Sequence, residues 1–241
     1  MRIALSGNPN SGKTTMYNAL TGRNERVGNW AGVTVDKKEY LIKRNYTDKE
    51  VIAVDLPGAY SMSPFTSEES ITSSYVKNEH PDVIINIVDA TNLSRSLFFT
   101  TQLLELGIPV VLALNKSDIN EKKETLIDKE KLEKELKCKA VNTCSTNGEG
   151  LKELVETAIS VAESKQEMPY VQGDIDLSNR EAVSVKKRKR FDYVNEVVKK
   201  VETRKVVTAE INKDDRIDEI LTNKWLGIPI FAVVMFLVFQ I

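Results

Sequence analysis

Four short runs of nearly continuous apolar residues, Ile3–Leu5, Val51–Leu56, Val83–Val88 and Val110–Leu114, punctuate the chain up to about residue 165. Runs of this length without polar alternation fit strands covered on both faces. Between them, amphipathic stretches predict helices over Lys13–Leu20, Asn92–Leu106, Asp128–Leu136 and Gly150–Ala162. Such alternation predicts an α/β sheet with helices on both sides. Lys37–Lys43 differs, because polar residues alternate through it. It reads as an antiparallel edge strand, which makes the sheet mixed but mostly parallel.

Past Lys165 the texture changes. Gln166–Asp176 holds Pro169 and Gly173 and reads as a linker. Ser178–Thr222 contains neither glycine nor proline and suits two or three helices. Trp225–Ile241 then runs for 17 residues without a charge. A membrane-spanning helix needs about 20 such residues. The run therefore reads as the first part of a transmembrane segment; a buried C-terminal helix is the alternative. The expected division is an α/β domain at 1–165, a small all-α domain at 166–222 and the apolar segment at 223–241.

The net charge of −1 argues against a protein that coats nucleic acid with bulk positive charge. The run Lys186-Lys187-Arg188-Lys189-Arg190 reads as a solvated helix face near an anionic membrane rather than an RNA patch. Met1-Arg2 leads straight into a short apolar run, so no signal peptide is expected. Two cysteines, Cys138 and Cys144, lack metal-ligand spacing and read as core or edge thiols in a reducing compartment. His80, the single histidine, precedes a proline and is expected to end a helix.

The chemistry begins at Gly7-Asn8-Pro9-Asn10-Ser11-Gly12-Lys13-Thr14, which matches G-x-x-x-x-G-K-[ST] between a strand and a helix. Its glycines let backbone N–H groups turn inward around phosphate oxygens. Lys13 would bridge the β- and γ-phosphates, the Thr14 hydroxyl would bind Mg²⁺, and Thr15 continues the cradle. Asp55-Leu56-Pro57-Gly58 ends a second apolar strand. Asp55 can hold Mg²⁺ through water, and the Gly58 N–H can sense a γ-phosphate. Asn115-Lys116-Ser117-Asp118 ends a third. The Asp118 carboxylate can accept from guanine N1–H and the 2-amino group, a donor pair that adenine lacks. Ser145-Thr146-Asn147 follows the last strand candidate, where backbone N–H groups can meet guanine O6. Four motifs in this order, each at a strand's C-terminal end, are the fingerprint of a Ras-like P-loop GTPase.

Val27-Gly28-Asn29-Trp30-Ala31-Gly32-Val33-Thr34-Val35-Asp36 completes the set as a first switch. Gly32 and Val33 would lie on the nucleotide, and Thr34 would offer a second hydroxyl to Mg²⁺. This stretch resembles the bacterial ferrous-iron transport protein B family, FeoB, with Ala31 where proline is usual. His80–Asp82, Asp89–Leu93, Thr101–Pro109 and Ile220–Pro229 are similar to the same family.

That resemblance implies a cytosolic G domain, a helical domain that slows GDP release, and the start of a polytopic membrane region that moves Fe²⁺. It places the chain on the cytoplasmic face of the bacterial cell membrane. Its implied partners are GTP and GDP, its own membrane domain and small accessory proteins of the iron-uptake system; homo-oligomers are left open and nucleic acid is not expected. It also implies a K⁺ ion beside the phosphates, held by Asn10 and by carbonyls of Gly28 and Trp30. Asn10, Lys13, Thr34 and Gly58 are the expected catalytic set.

Ala59 stands where Ras-like enzymes place a water-orienting Gln, so intrinsic hydrolysis is expected to be slow. Trp30 is expected to be a mobile flap. Glu68 and Glu69 suit a helix N-terminus better than general-base duty. Two rival readings share the motifs: a nucleotide-dependent binding switch with incidental turnover, and a ribosome-assembly GTPase.

Overall fold

The computed structural model describes residues 1–22, 26–29, 36–62, 67–122, 124–172, 180–204 and 236. Residues 1–204 form one compact unit and 205–241 a second. The first is built on a seven-stranded sheet in the order β2-β3-β4-β1-β5-β6-β8. Its strands are β1 (Arg2–Gly7), β2 (Arg26–Asn29), β3 (Asp36–Leu41), β4 (Ile52–Asp55), β5 (Val83–Asp89), β6 (Val110–Asn115) and β8 (Lys139–Thr143). β4, β1, β5, β6 and β8 run parallel, whereas β2 and β3 are antiparallel additions.

The apolar runs form the parallel strands because both sheet faces are covered. On β5, Val83, Ile85 and Ile87 meet α1 (Lys13–Thr21) and α6 (Leu151–Val161). Ile84 and Val88 face the other layer, made by α2 (Ser67–Glu79), α3 (Leu93–Leu104), α5 (Lys129–Leu136) and α7 (Arg180–Val201). Asn86 interrupts this second face, and its side-chain oxygen accepts from the Thr100 hydroxyl at 2.8 Å. That oxygen is paired on α3, while the buried amide nitrogen of the same side chain has no hydrogen-bond partner among the described residues. The helices stop where local chemistry stops them: Gly22 closes α1 with φ 87°, and the Asp128 carboxylate caps α5 through Lys131 N at 3.0 Å.

Three features differ from the sequence reading. The polar strand is antiparallel, as expected, but is not the edge: β2 pairs outside it, with Gly28 opposite Lys37. β7 (Thr125–Ile127) pairs antiparallel with β9 (Glu202–Arg204), a two-stranded sheet that three-residue segments cannot announce. The basic run is not one solvated face: Arg190 is 2% exposed on α7, while Arg188 and Lys189 are exposed.

Arg190 donates to Glu105 Oε2 at 2.6 Å and to Thr101 Oγ1 at 3.1 Å, both from α3 or its end. Gln172 completes the shell, accepting from Arg190 Nε at 3.2 Å and donating to the Lys186 carbonyl at 2.6 Å. The stretch after Lys165 is therefore anchored through residue 172; Gln166 likewise bridges Val110 N and the Lys137 carbonyl. Breaking a buried pair strands its partner's charge. Arg190→Ala is expected to cost about 3 kcal/mol of stability, read as a lower urea midpoint. An unchanged midpoint would contradict the assignment of α7 to this core.

The described part of 178–222 is the long helix α7 followed by β9, and the rest of that stretch lies outside the described residues. So does Trp225–Ile241 apart from Phe236. Among the described residues no helix is long and apolar enough to cross a membrane.

Candidate functional site

The G-x-x-x-x-G-K-[ST] loop turns between β1 and α1, at the C-terminal edge of the parallel strands. Its shape depends on two left-handed residues, Asn10 (φ 65°) and Gly12 (φ 93°). A Cβ at Gly12 would collide with the Asn115 amide, so only glycine fits. At Gly7 a Cβ would lie 2.6 Å from the Ile87 carbonyl oxygen, a close approach that brings the loop down onto β5.

A cavity of about 700 Å³ opens beside this loop. Residues 8–10 and 12–15 line one side; Gly58, Ala59, Tyr60, Glu68 and Glu69 line the other. Backbone bonds lock the two sides together: Leu56 N donates to Leu5 O at 3.0 Å and Ala59 N to Gly7 O at 3.2 Å. Lys13, which lines the cavity, forms an ion pair with Asp55. Each side chain is 10% exposed, so neither charge could be removed without stranding the other. Glu68 and Glu69 occupy the first turn of α2, where the helix dipole favours carboxylates. Tyr60 is held by the Arg95 guanidinium, 4.5 Å above its ring.

Asn115 ties residues 115–118 and 145–147 to the phosphate loop. Asn115, at the end of β6, donates from Nδ2 to the Ser11 carbonyl at 2.8 Å. Its Oδ1 accepts from Ser145 N at 3.0 Å and Ser145 Oγ at 2.8 Å. Three loops far apart in sequence are thereby pinned into one surface. Lys116 follows in the left-handed region and donates to Asp89 Oδ2 at 2.6 Å. Burial would raise the Asp89 carboxyl, but hydrogen bonds from Lys116 and Thr91 outweigh it and hold the group below its ordinary value. Asp118 sits in the first turn of α4 (Ser117–Lys122), half-buried. Thr146 Oγ1 contacts Cys144 Sγ at 3.2 Å, and the Asn147 side chain is taken up by Glu149 in its own loop.

The structure thus gathers residues 7–15, 55–58, 115, 116, 118 and 145–147 along one sheet edge. Gly28 is described only as backbone in β2; Trp30, Gly32, Val33 and Thr34 lie outside the described residues. Cys138 and Cys144 are free and buried, and burial pushes the Cys138 thiol far up. His80 ends α2 in the left-handed region. Sequence reasoning placed Asp89 and Gln102 in family-like stretches but gave neither a role; Gln102 Oε1 accepts from Met62 N at 2.8 Å.

The family model for ferrous iron transport protein B, FeoB_N, matches residues 1–158. The chain belongs to the FeoB family. A curated Fe(2+) transporter FeoB from Salmonella choleraesuis is 37% identical over 99% of this chain. This chain spans only 38% of that relative's length. The cytosolic domain of the T. maritima FeoB iron transporter, solved in its GMPPNP form, has a TM-score of 0.77 at 27% identity. That match covers 84% of this chain and 99% of the other. A GDP-bound point mutant of the S. thermophilus FeoB G-domain has a TM-score of 0.72 at 31% identity, covering 84% of this chain and 100% of that one. The present structure is accordingly an N-terminal FeoB cytosolic G domain with the α/β fold of P-loop GTPases.

The cavity's donors suit the ions of such a domain. Thr14 at the cavity wall offers a hydroxyl oxygen and Asp55, paired with the cavity-lining Lys13, a carboxylate, the hard donors Mg²⁺ takes. Asn10 presents an exposed amide on a left-handed turn at the cavity wall. Among the described residues no group of three His, Cys, Asp or Glu side chains could hold a metal by itself.

Proposed function

We propose that this chain binds GTP and GDP with Mg²⁺, hydrolyses GTP slowly, and serves as the nucleotide-responsive front of an Fe²⁺ transporter. The observation that carries this reading is the Asn115 tie, which joins the phosphate loop to the guanine motifs beside the Lys13–Asp55 pair. The GMPPNP and GDP forms of the FeoB relatives support the same reading.

In the mechanism, Lys13 leaves Asp55 for the β- and γ-phosphate oxygens. The Thr14 and Thr34 hydroxyls would hold Mg²⁺ directly, and Asp55, released from Lys13, would hold it through water. Bound there, Mg²⁺ would neutralise charge building on the phosphates. The Gly58 N–H meets the γ-phosphate. Gly32 and Val33 close over the nucleotide, while Asp118 and the loop 145–147 read the base. Ala59, 1% exposed at the cavity wall, can neither orient nor polarise water. Backbone groups of the switches then hold the nucleophile, which gives the slow rate. This same feature favours the second reading, a binding switch with incidental turnover.

A K⁺ ion held by Asn10 with the carbonyls of Gly28 and Trp30 would supply part of the missing electrostatic stabilisation. GTP hydrolysis in KCl is expected to exceed that in NaCl of equal ionic strength by at least about tenfold, and Asn10→Ala is expected to abolish the difference. Equal rates in the two salts would sink K⁺ assistance.

Residues 166–222 would form the helical domain that slows GDP release, and 223–241 would open the membrane region. The chain would lie on the cytoplasmic face of the bacterial cell membrane. Its partners would be the membrane domain that conducts Fe²⁺ and small accessory proteins of iron uptake.

A further inference from the structure

We infer that Asp89 is a positioning residue of the guanine site, holding Lys116 and through it the loop 115–118 in nucleotide-binding shape. The inference rests on the nucleotide-binding reading above. Its basis is the division of labour between the two carboxylate oxygens. Oδ1 accepts from Thr91 N at 3.0 Å and Thr91 Oγ1 at 2.7 Å, which fixes the turn after β5. Oδ2 is left for Lys116 Nζ at 2.6 Å.

The placement follows from the sheet. Asp89 and Asn115 are register partners at the ends of β5 and β6, so the carboxylate emerges beside the start of the guanine loop. Lys116 then adopts φ 66°, a conformation that non-glycine residues seldom hold without support. A lysine also has rotamer freedom to lose, and the ion pair removes it. The same turn carries a second tether: Asn120 Nδ2 donates to the Ala90 carbonyl at 2.8 Å, anchoring α4. The loop is therefore held on both flanks, by Asn115 on Ser11 and Ser145, and by Lys116 and Asn120 on the turn beginning at Asp89. Within this set, Asp89 is the member whose side chain fixes the turn and the loop at once.

The test is the release of fluorescently labelled GDP from the purified chain, chased with excess GDP. Asp89→Asn is expected to speed release about tenfold, the effect of losing one charge-assisted hydrogen bond. Lys116→Met should do the same, and the double variant should be no faster than the faster single one, since both changes remove one interaction. Thr91→Ala removes a contact to Oδ1 and leaves the lysine pair intact, so its release should stay within about twofold of wild type.

Unchanged release in Asp89→Asn, multiplying effects in the double variant, or a Thr91→Ala rate equal to that of Asp89→Asn would each overturn the inference. Lys116→Met breaks the pair without touching the turn. If Asp89→Asn does not fold, wild-type release in Lys116→Met still overturns it. A wild-type chain that binds no labelled GDP would overturn the nucleotide reading itself, and the inference with it.

Discussion

Asp118→Asn is expected to weaken GTP binding by roughly a thousandfold and to create affinity for XTP. A carboxylate can accept from guanine N1–H and from the 2-amino group together. An asparagine amide accepts only one of these and turns its NH₂ toward the other donor. Two charge-assisted bonds are lost, and a donor faces a donor. In xanthine the 2-position is an oxygen, which the new NH₂ satisfies. The fold should tolerate the change, because Asp118 is half-buried at the start of α4 and the loop is pinned by Asn115, Lys116 and Asn120 rather than by Asp118. Competition between GTP and XTP for labelled nucleotide reads the switch. An Asp118→Asn chain that keeps its preference for GTP would remove Asp118 from the base site.

Lys13→Ala should lower affinity for GTP and GDP by about a hundredfold, measured by calorimetry with Mg²⁺ present. The phosphates lose the point charge that Lys13 would bring them, while the pair with Asp55, which binding would break in any case, adds nothing to the loss of affinity. Lys13→Arg is not a rescue, since a planar fork cannot replace a compact ammonium between Asp55 and the phosphate loop. Retained affinity in Lys13→Ala would show that the Lys13–Asp55 pair is structural only.

Much of this architecture could be read from the chain. Ile3–Leu5, Val83–Val88 and Val110–Leu114 are strands because nothing but a sheet covered on both faces buries such short apolar runs. The phosphate loop was legible because Gly7, Gly12, Lys13 and Thr14 each answer a local demand of backbone or charge. What escaped the sequence depends on distant partners. Arg190 looks solvated within a basic run until Glu105, 85 residues away, is seen beside it. β7 and β9 are three residues each and exist only through one another. The sequence marks Asn115 as a candidate nucleotide contact; that its amide binds Ser11 and Ser145 needs three loops in place at once. Asp89 closes an apolar strand like any C-terminal Asp, and nothing local marks Lys116 as its partner.

The central claim is that loops 7–15, 55–58, 115–118 and 145–147 form one guanine-nucleotide site. Calorimetric titration of the chain with GDP, GTP, ADP and ATP in Mg²⁺ tests it most directly. Saturable binding of GDP and GTP, with ADP and ATP at least about a thousandfold weaker, is the predicted result. Equal binding of adenine nucleotides, or none of any nucleotide, would contradict it.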